Sequence, residues 1–155
     1  MINSSLLPLN KQLTTDDVST IYKIPSFILF FVGACDLVRG CMHTFLLKWS
    51  ATHFAKFDMV NVSEDQLFLL GIFGISNFLT GFSFILISLK AKHLSPYVLI
   101  LIPSAYLLGL GGIWFSGVHA QAEFNGRYFM FGYFFVCIVT YIHFLFCKRR
   151  APSSE

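Results

Sequence analysis

The sequence predicts an all-α membrane protein that folds as an antiparallel bundle of four transmembrane helices, with both termini in the cytoplasm. Of its 155 residues, 55% are hydrophobic and 12% are charged, about half the charged share of a soluble domain. Four apolar segments alternate with short polar stretches, and each is about as long as the 20 residues that one span requires. We therefore expect one transmembrane domain and no second domain.

Local signals place the ends of the four spans. Pro25 suits the first turn of a helix, and so does Pro96 after a capping Ser95. Ser63 and Gln66 have the spacing of a capping box, and Asn125-Gly126 indicates a turn. We predict a cytoplasmic leader over residues 1–25, a transmembrane domain over 26–147 with spans at about 26–47, 66–89, 97–118 and 127–147, and a basic cytoplasmic tail over 148–155.

Lysine and arginine set the predicted orientation, because short cytoplasmic loops are enriched in both. The leader, the turn between the second and third spans and the tail carry Lys11, Lys23, Lys90, Lys92, Lys148, Arg149 and Arg150. The opposite side carries Lys48, Lys56 and Arg127. Both termini are therefore expected in the cytoplasm, with the chain in a bacterial inner membrane or an equivalent cell membrane. The net charge of +3 does not indicate a nucleic-acid partner.

The first span carries three polar residues, Asp36, Arg39 and His43, on one helical stripe. Intramembrane charges are costly, face the protein interior and often mark a functional site. Asp36 and Arg39 are three residues apart and can form an ion pair on one helix. These residues are the predicted core of a ligand or proton pocket.

Counting residues along each span predicts which side chains share a depth in the membrane. Asp36, Asn77 and Tyr106 fall near the middle of the first three spans and are predicted to form one layer. One turn outward, Gly74 and Gly109 are predicted to leave space for Arg39. Farther outward, His43 is expected near Trp114. Gly74, Gly109 and Trp114 are thus the expected secondary lining.

Segments 33–40 and 74–81 resemble each other, with glycine at both ends and Asp36 aligned with Asn77. Small residues at helical spacing let two helices approach closely. We therefore expect the first two spans to pack face to face, with Asp36 near Asn77. An internal duplication is an alternative source of the similarity.

A glycine in the first helix, followed by Arg39-Gly40-Cys41-Met42-His43 and three more spans, resembles the DoxX-like and BphX-like small four-helix membrane proteins. The resemblance covers the architecture and the first helix. It implies a four-helix membrane fold and, for some members, a role as a membrane subunit linked to quinone or redox chemistry.

The leading functional hypothesis is a pocket for a small amphipathic or lipid-like molecule, or a subunit of a larger membrane complex. Partners are then the lipid bilayer and a homo-oligomer or larger complex, while the cofactor is unknown. Three alternatives stay open: a dimeric proton-coupled transporter using Asp36, an enzyme with Asp36 and His43 as acid–base groups, and a purely structural polar clamp. By depth, His43 and His119 could hold a haem, and His43, His53, His119 and Glu123 could form a metal cluster. Because histidines in loops are more often interfacial, we predict no metal site.

Overall fold

A computed structural model describes residues 20–54, 56–117 and 126–150. Helix accounts for 88% of these residues, and the described ranges contain no strand. The elements are α1 (Lys23–Thr44), α2 (Leu47–His53), α3 (Glu64–Lys90), a 3₁₀ turn (Lys92–Leu94), α4 (Ser95–Phe115) and α5 (Gly126–Arg150). The predicted all-α class is confirmed for this part of the chain.

Four of the helical segments are long and apolar enough to cross a membrane: Lys23–Thr44, Glu64–Lys90, Lys92–Phe115 and Tyr128–Arg150. They correspond to the four predicted spans and fit a small multi-pass membrane protein. The first span ends earlier than the predicted residue 47, because its helix stops at Thr44 and a separate short helix, α2, begins at Leu47. The last helix extends through the basic residues to Arg150. The end of the predicted third span, residue 118, and most of the predicted leader lie outside the described residues.

Two predicted helix starts have different outcomes. At α3 the capping box is present: the Ser63 hydroxyl accepts from the Gln66 backbone N–H, and the Gln66 side chain accepts from the Ser63 N–H. At α4 the predicted Ser95 cap is wrong, because the helix begins at Ser95 and Leu94 precedes it without a side-chain cap. The buried Ser95 hydroxyl instead lies 3.2 Å from the Ser26 hydroxyl of α1.

Helices α1 and α3 form the most extensive contact of the described fold, and glycines allow their close approach. A Cβ added at Gly33 would lie 2.9 Å from the backbone oxygen of Gly81, and one added at Gly40 would lie 3.1 Å from that of Gly74. Because real Cβ atoms essentially never come within 3.0 Å of such an atom, Gly33 must stay glycine to keep this separation. The predicted face-to-face packing is confirmed.

Helices α4 and α5 pack on each other and both contact α1. A small buried cluster of Leu29, Val32, Leu99 and Cys137 joins these three helices. Most other large apolar side chains of α4 and α5 are exposed, as expected of side chains whose solvent is lipid. This arrangement places α1 centrally, with α3 on one of its sides and α4 and α5 on another.

Candidate functional site

The candidate site is built on the polar stripe of α1. The Arg39 guanidinium donates to Oδ1 of Asp36, so the ion pair allowed by their spacing is present. The Asp36 side chain is 4% exposed and that of Arg39 is 27% exposed. The carboxylate therefore lies inside the bundle, while part of the guanidinium reaches a more open region.

The second oxygen of Asp36 is bound from two other helices. The Thr80 hydroxyl of α3 lies 3.1 Å from Oδ2 and 3.1 Å from the carbonyl oxygen of Asn77 on its own helix, so its one hydrogen is shared between these two acceptors. The Tyr133 hydroxyl of α5 donates to Oδ2 at 3.3 Å. Hydrogen bonds to an ionised acceptor are stronger than bonds between neutral groups. Together with Arg39, these donors satisfy both carboxylate oxygens and offset the cost of burying the charge.

Arg39 points from α1 toward α5. Its second terminal nitrogen donates to the Met130 sulfur, and its guanidinium carbon lies 5.7 Å from the centre of the Tyr133 ring. Such a position over an aromatic face is a favourable cation–π contact. The prediction that Gly74 and Gly109 make room for Arg39 is wrong, because the side chain lies against α5.

His43 is the third polar residue of the stripe and is also buried. Its Nδ1 lies 3.4 Å from the amide nitrogen of Asn77 on α3, and its ring packs beside Phe73 at 5.8 Å between centroids. The side chain of Asn77 thus bonds His43, and the partner of Asp36 on α3 is Thr80, whose hydroxyl also lies 3.1 Å from the Asn77 carbonyl oxygen.

A cavity of about 740 Å³ opens beside this network, between α1 and α5. Its polar wall residues include Arg39, His43, Tyr106 and Tyr133. The remaining wall is mostly apolar and aromatic and includes Phe31, Val32, Phe54, Phe73, Phe129, Met130 and Val136. Its volume is within the range of small-molecule sites, about 300–1,000 Å³.

The predicted site residues do not all meet at this cavity. Arg39, His43 and Tyr106 line it, whereas Asp36 and Asn77 lie behind that wall as hydrogen-bond partners. Tyr106 is on the wall with its ring 4.7 Å from that of Phe134. That Asp36, Asn77 and Tyr106 share one depth in the membrane stays a prediction.

None of the three residues of the predicted secondary lining is among those that line this cavity. Gly74 packs against His43 and Thr44 within the contact between α1 and α3. A Cβ added at Gly109 would have no heavy atom within 4 Å among the described residues. Trp114 is 70% exposed and its ring contacts that of Phe115. Neither Gly109 nor Trp114 is among the residues that line the cavity.

Three site residues were missed in the sequence: Thr80, Met130 and Tyr133. The sequence did contain an indication of Thr80, because alignment of segments 33–40 and 74–81 places Thr80 at the position of Arg39. Met130 and Tyr133 are one helical turn apart on α5, but that helix is apolar on every side. Periodicity alone therefore could not indicate which of its faces meets Arg39.

Two members of the alternative metal site, His119 and Glu123, lie outside the described residues. Within the described ranges, no group of three histidine, cysteine or acidic side chains is placed to hold a metal ion. The four cysteines are free thiols, and Cys35 is exposed on the cavity wall.

Fold and site together fit the class of small multi-pass membrane proteins whose helices enclose a buried polar network. Comparisons with family models, with curated proteins and with solved structures find no match. The resemblance of the first helix to the DoxX-like and BphX-like proteins therefore stays a prediction.

Proposed function

We propose that this protein binds a small amphipathic or lipid-like molecule in the cavity between α1 and α5. The observation that carries the proposal is the composition of the cavity wall. Arg39 and His43 form a polar patch on α1, while aromatic and aliphatic side chains cover most of the rest. Ligand sites commonly combine a large apolar surface with a few polar groups that orient the ligand.

The proposal includes an antiparallel bundle with both termini in the cytoplasm. Contact pairs between α1 and α3 support it, because residue numbers fall along α3 as they rise along α1: Gly33 lies against Gly81, and Gly40 against Gly74. Antiparallel neighbours joined by short connections are the usual arrangement of small helical bundles. The excess of lysine and arginine on the side of the leader and tail supports the orientation.

The surroundings of Asp36 favour binding over proton transfer or acid–base catalysis. Its two oxygens accept hydrogen bonds from Arg39, Thr80 and Tyr133, and it is not part of the cavity wall. A proton carrier or a general acid needs access to its substrate or to water. We therefore assign Asp36 the role of holding Arg39, which in turn faces the bound molecule.

The test is native mass spectrometry of the protein extracted in mild detergent, using a variant that narrows the cavity. Gly132 lies on the cavity wall, and a Cβ added there meets no heavy atom of the described residues within 4 Å. Gly132→Phe should therefore fold while occupying part of the cavity. Gly109→Phe is the matched control, since Gly109 is equally open but lies away from the cavity.

We expect a reproducible extra mass on the wild-type protein and on Gly109→Phe, and its loss from Gly132→Phe. A mass that persists unchanged in Gly132→Phe would contradict binding in this cavity. A wild-type chain that carries no small molecule and is bound only to another protein chain would favour the alternative role, a subunit of a larger membrane complex.

A further inference from the structure

The polar groups on the cavity wall identify the kind of molecule that the cavity accepts. This inference rests on the proposed function and deepens it. Arg39 has five N–H donors and no acceptor. Within the described residues its contacts are a carboxylate oxygen of Asp36, the Met130 sulfur and the face of the Tyr133 ring. Thioether sulfur is a weak acceptor, so an oxygen atom in the cavity would be a better partner than Met130.

The hydrogen bond between Asn77 and His43 determines which histidine nitrogen carries a hydrogen. With the amide nitrogen of Asn77 3.4 Å from Nδ1 of His43, the amide donates and Nδ1 accepts. A ring that accepts at Nδ1 is neutral and has its hydrogen on Nε2. His43 lines the cavity together with Arg39, and this tautomer gives its ring one N–H, on Nε2, that Asn77 does not engage.

The acceptors of the network are turned away from the cavity. Both oxygens of Asp36 are engaged by donors from α1, α3 and α5, and Asn77 lies behind His43. Tyr133 also lines the cavity, and its hydroxyl hydrogen is donated to Asp36. The polar patch of Arg39 and His43 thus offers hydrogen-bond donors. A molecule that fits it carries an oxygen atom that accepts hydrogen bonds.

Charge balance decides whether that oxygen belongs to an anion. Arg39 is the one charged residue on the described wall of the cavity, and its charge is already compensated by Asp36. A carboxylate or phosphate would add a charge without a free counter-charge in a low-dielectric site, which is costly. A cationic ligand would be repelled by the positively charged guanidinium of Arg39. The site therefore favours an uncharged acceptor.

We infer that the bound molecule is a neutral lipid-like compound whose carbonyl oxygen accepts hydrogen bonds from Arg39 and His43, with its hydrocarbon part along the aromatic wall. An ester carbonyl on a single long chain has this chemistry. The opening of the cavity at the bundle surface lets the end of such a chain extend into the bilayer.

Three compounds with the same chain separate the possibilities: a monoacylglycerol, the corresponding monoalkylglycerol ether, which lacks the carbonyl, and a lysophosphatidic acid, which adds a phosphate. Each compound is titrated into the full-length protein in a detergent without ester or phosphate groups. Native mass spectrometry then measures the fraction of the protein that carries the compound. Gly132→Phe and Gly109→Phe show which binding occurs in the cavity.

We expect the ester to bind at least about tenfold more tightly than the ether, since a hydrogen bond from a charged donor contributes about 1.5–3 kcal/mol. The ester should also bind more tightly than the phosphate compound. Equal binding of ester and ether, or tighter binding of the phosphate compound, would overturn the inference and leave lipid binding itself intact. Failure of all three, with no native mass on the wild-type protein, would contradict the proposed function as well.

Discussion

Thr80 and Tyr133 donate hydrogen bonds to one and the same atom, Oδ2 of Asp36, from two different helices. Asp36 is therefore the point where α1, α3 and α5 are joined by polar contacts. Because a polar side chain in the bilayer has few alternative partners, such bonds favour one rotation of each helix over others. The same arrangement turns Arg39 toward the cavity.

Replacing one member of the ion pair should destabilise the protein more than replacing both. Asp36→Asn leaves Arg39 without its counter-charge, and breaking a buried pair costs about 3–5 kcal/mol. The partial exposure of Arg39 lowers the expected loss to about 3 kcal/mol. The double variant Asp36→Leu with Arg39→Leu should lie closer to wild type, as measured by unfolding in detergent.

This comparison also separates a structural clamp from a binding role. If the polar pair only holds the bundle together, the stable double variant should keep the small-molecule mass of the wild-type protein. The proposed function requires that mass to be lost. A double variant as unstable as Asp36→Asn would contradict the ion-pair account.

The bond from Thr80 to Asp36 can be measured with a closely matched pair of variants. Thr80→Val removes an interhelical hydrogen bond at nearly constant shape and should lower the free energy of unfolding by about 1 kcal/mol. Thr140→Val is the control, because among the described residues the Thr140 hydroxyl bonds only to the Val136 carbonyl of its own helix, a kind of bond that Thr80 also makes, to Asn77. Equal effects of the two changes would argue against a special role for Thr80.

Glycine should be required where α1 and α3 touch and dispensable at Gly109 of α4, where an added Cβ meets no neighbouring atom of the described residues. Gly33→Ala places a methyl group against the Gly81 backbone oxygen, so the helices must separate, at a cost of about 1–3 kcal/mol. Gly109→Ala meets open space and should be neutral or stabilise by up to about 1 kcal/mol through helix propensity. Thermal unfolding of both variants tests this, and a neutral Gly33→Ala would refute the close-approach argument.

The proposed orientation predicts which side of the membrane each connection faces. In a background with all four cysteines replaced by alanine, Val60→Cys marks the segment between α2 and α3, and His93→Cys marks the turn before α4. Both positions are exposed. A membrane-impermeant maleimide should label Val60→Cys in intact cells and His93→Cys only after the membrane is opened. The reverse pattern would place the termini outside.

The sequence predicted the four spans and the polar stripe, because length, hydropathy and helical spacing are local properties. It did not predict the partners across helices. The glycine contacts place Asp36 opposite the turn of α3 that contains both Asn77 and Thr80, and depth alone cannot choose between them. Side chains lean toward the N-terminus of their own helix. In an antiparallel pair, this brings Asp36 to Thr80 and His43 to Asn77.

The cavity could not be predicted from the sequence, for a different reason. Its far wall is formed by α5, where Tyr133 and Met130 are two among many aromatic and apolar residues. When a helix is apolar on all sides, periodicity gives no preferred face. Only the position of Arg39, which needs a partner for its second terminal nitrogen, identifies the face that meets α1.

The most direct test of the central claim is photo-crosslinking in native membranes with a diazirine-bearing monoacylglycerol, followed by mapping of the modified peptides. We predict that labels concentrate on the cavity walls of α1 and α5, around Val38, Met42 and Val136, and that Gly132→Phe reduces them while Gly109→Phe does not. Labels spread evenly over lipid-facing positions, including Leu108 and Phe115 of α4, and unaffected by Gly132→Phe would contradict a specific binding cavity.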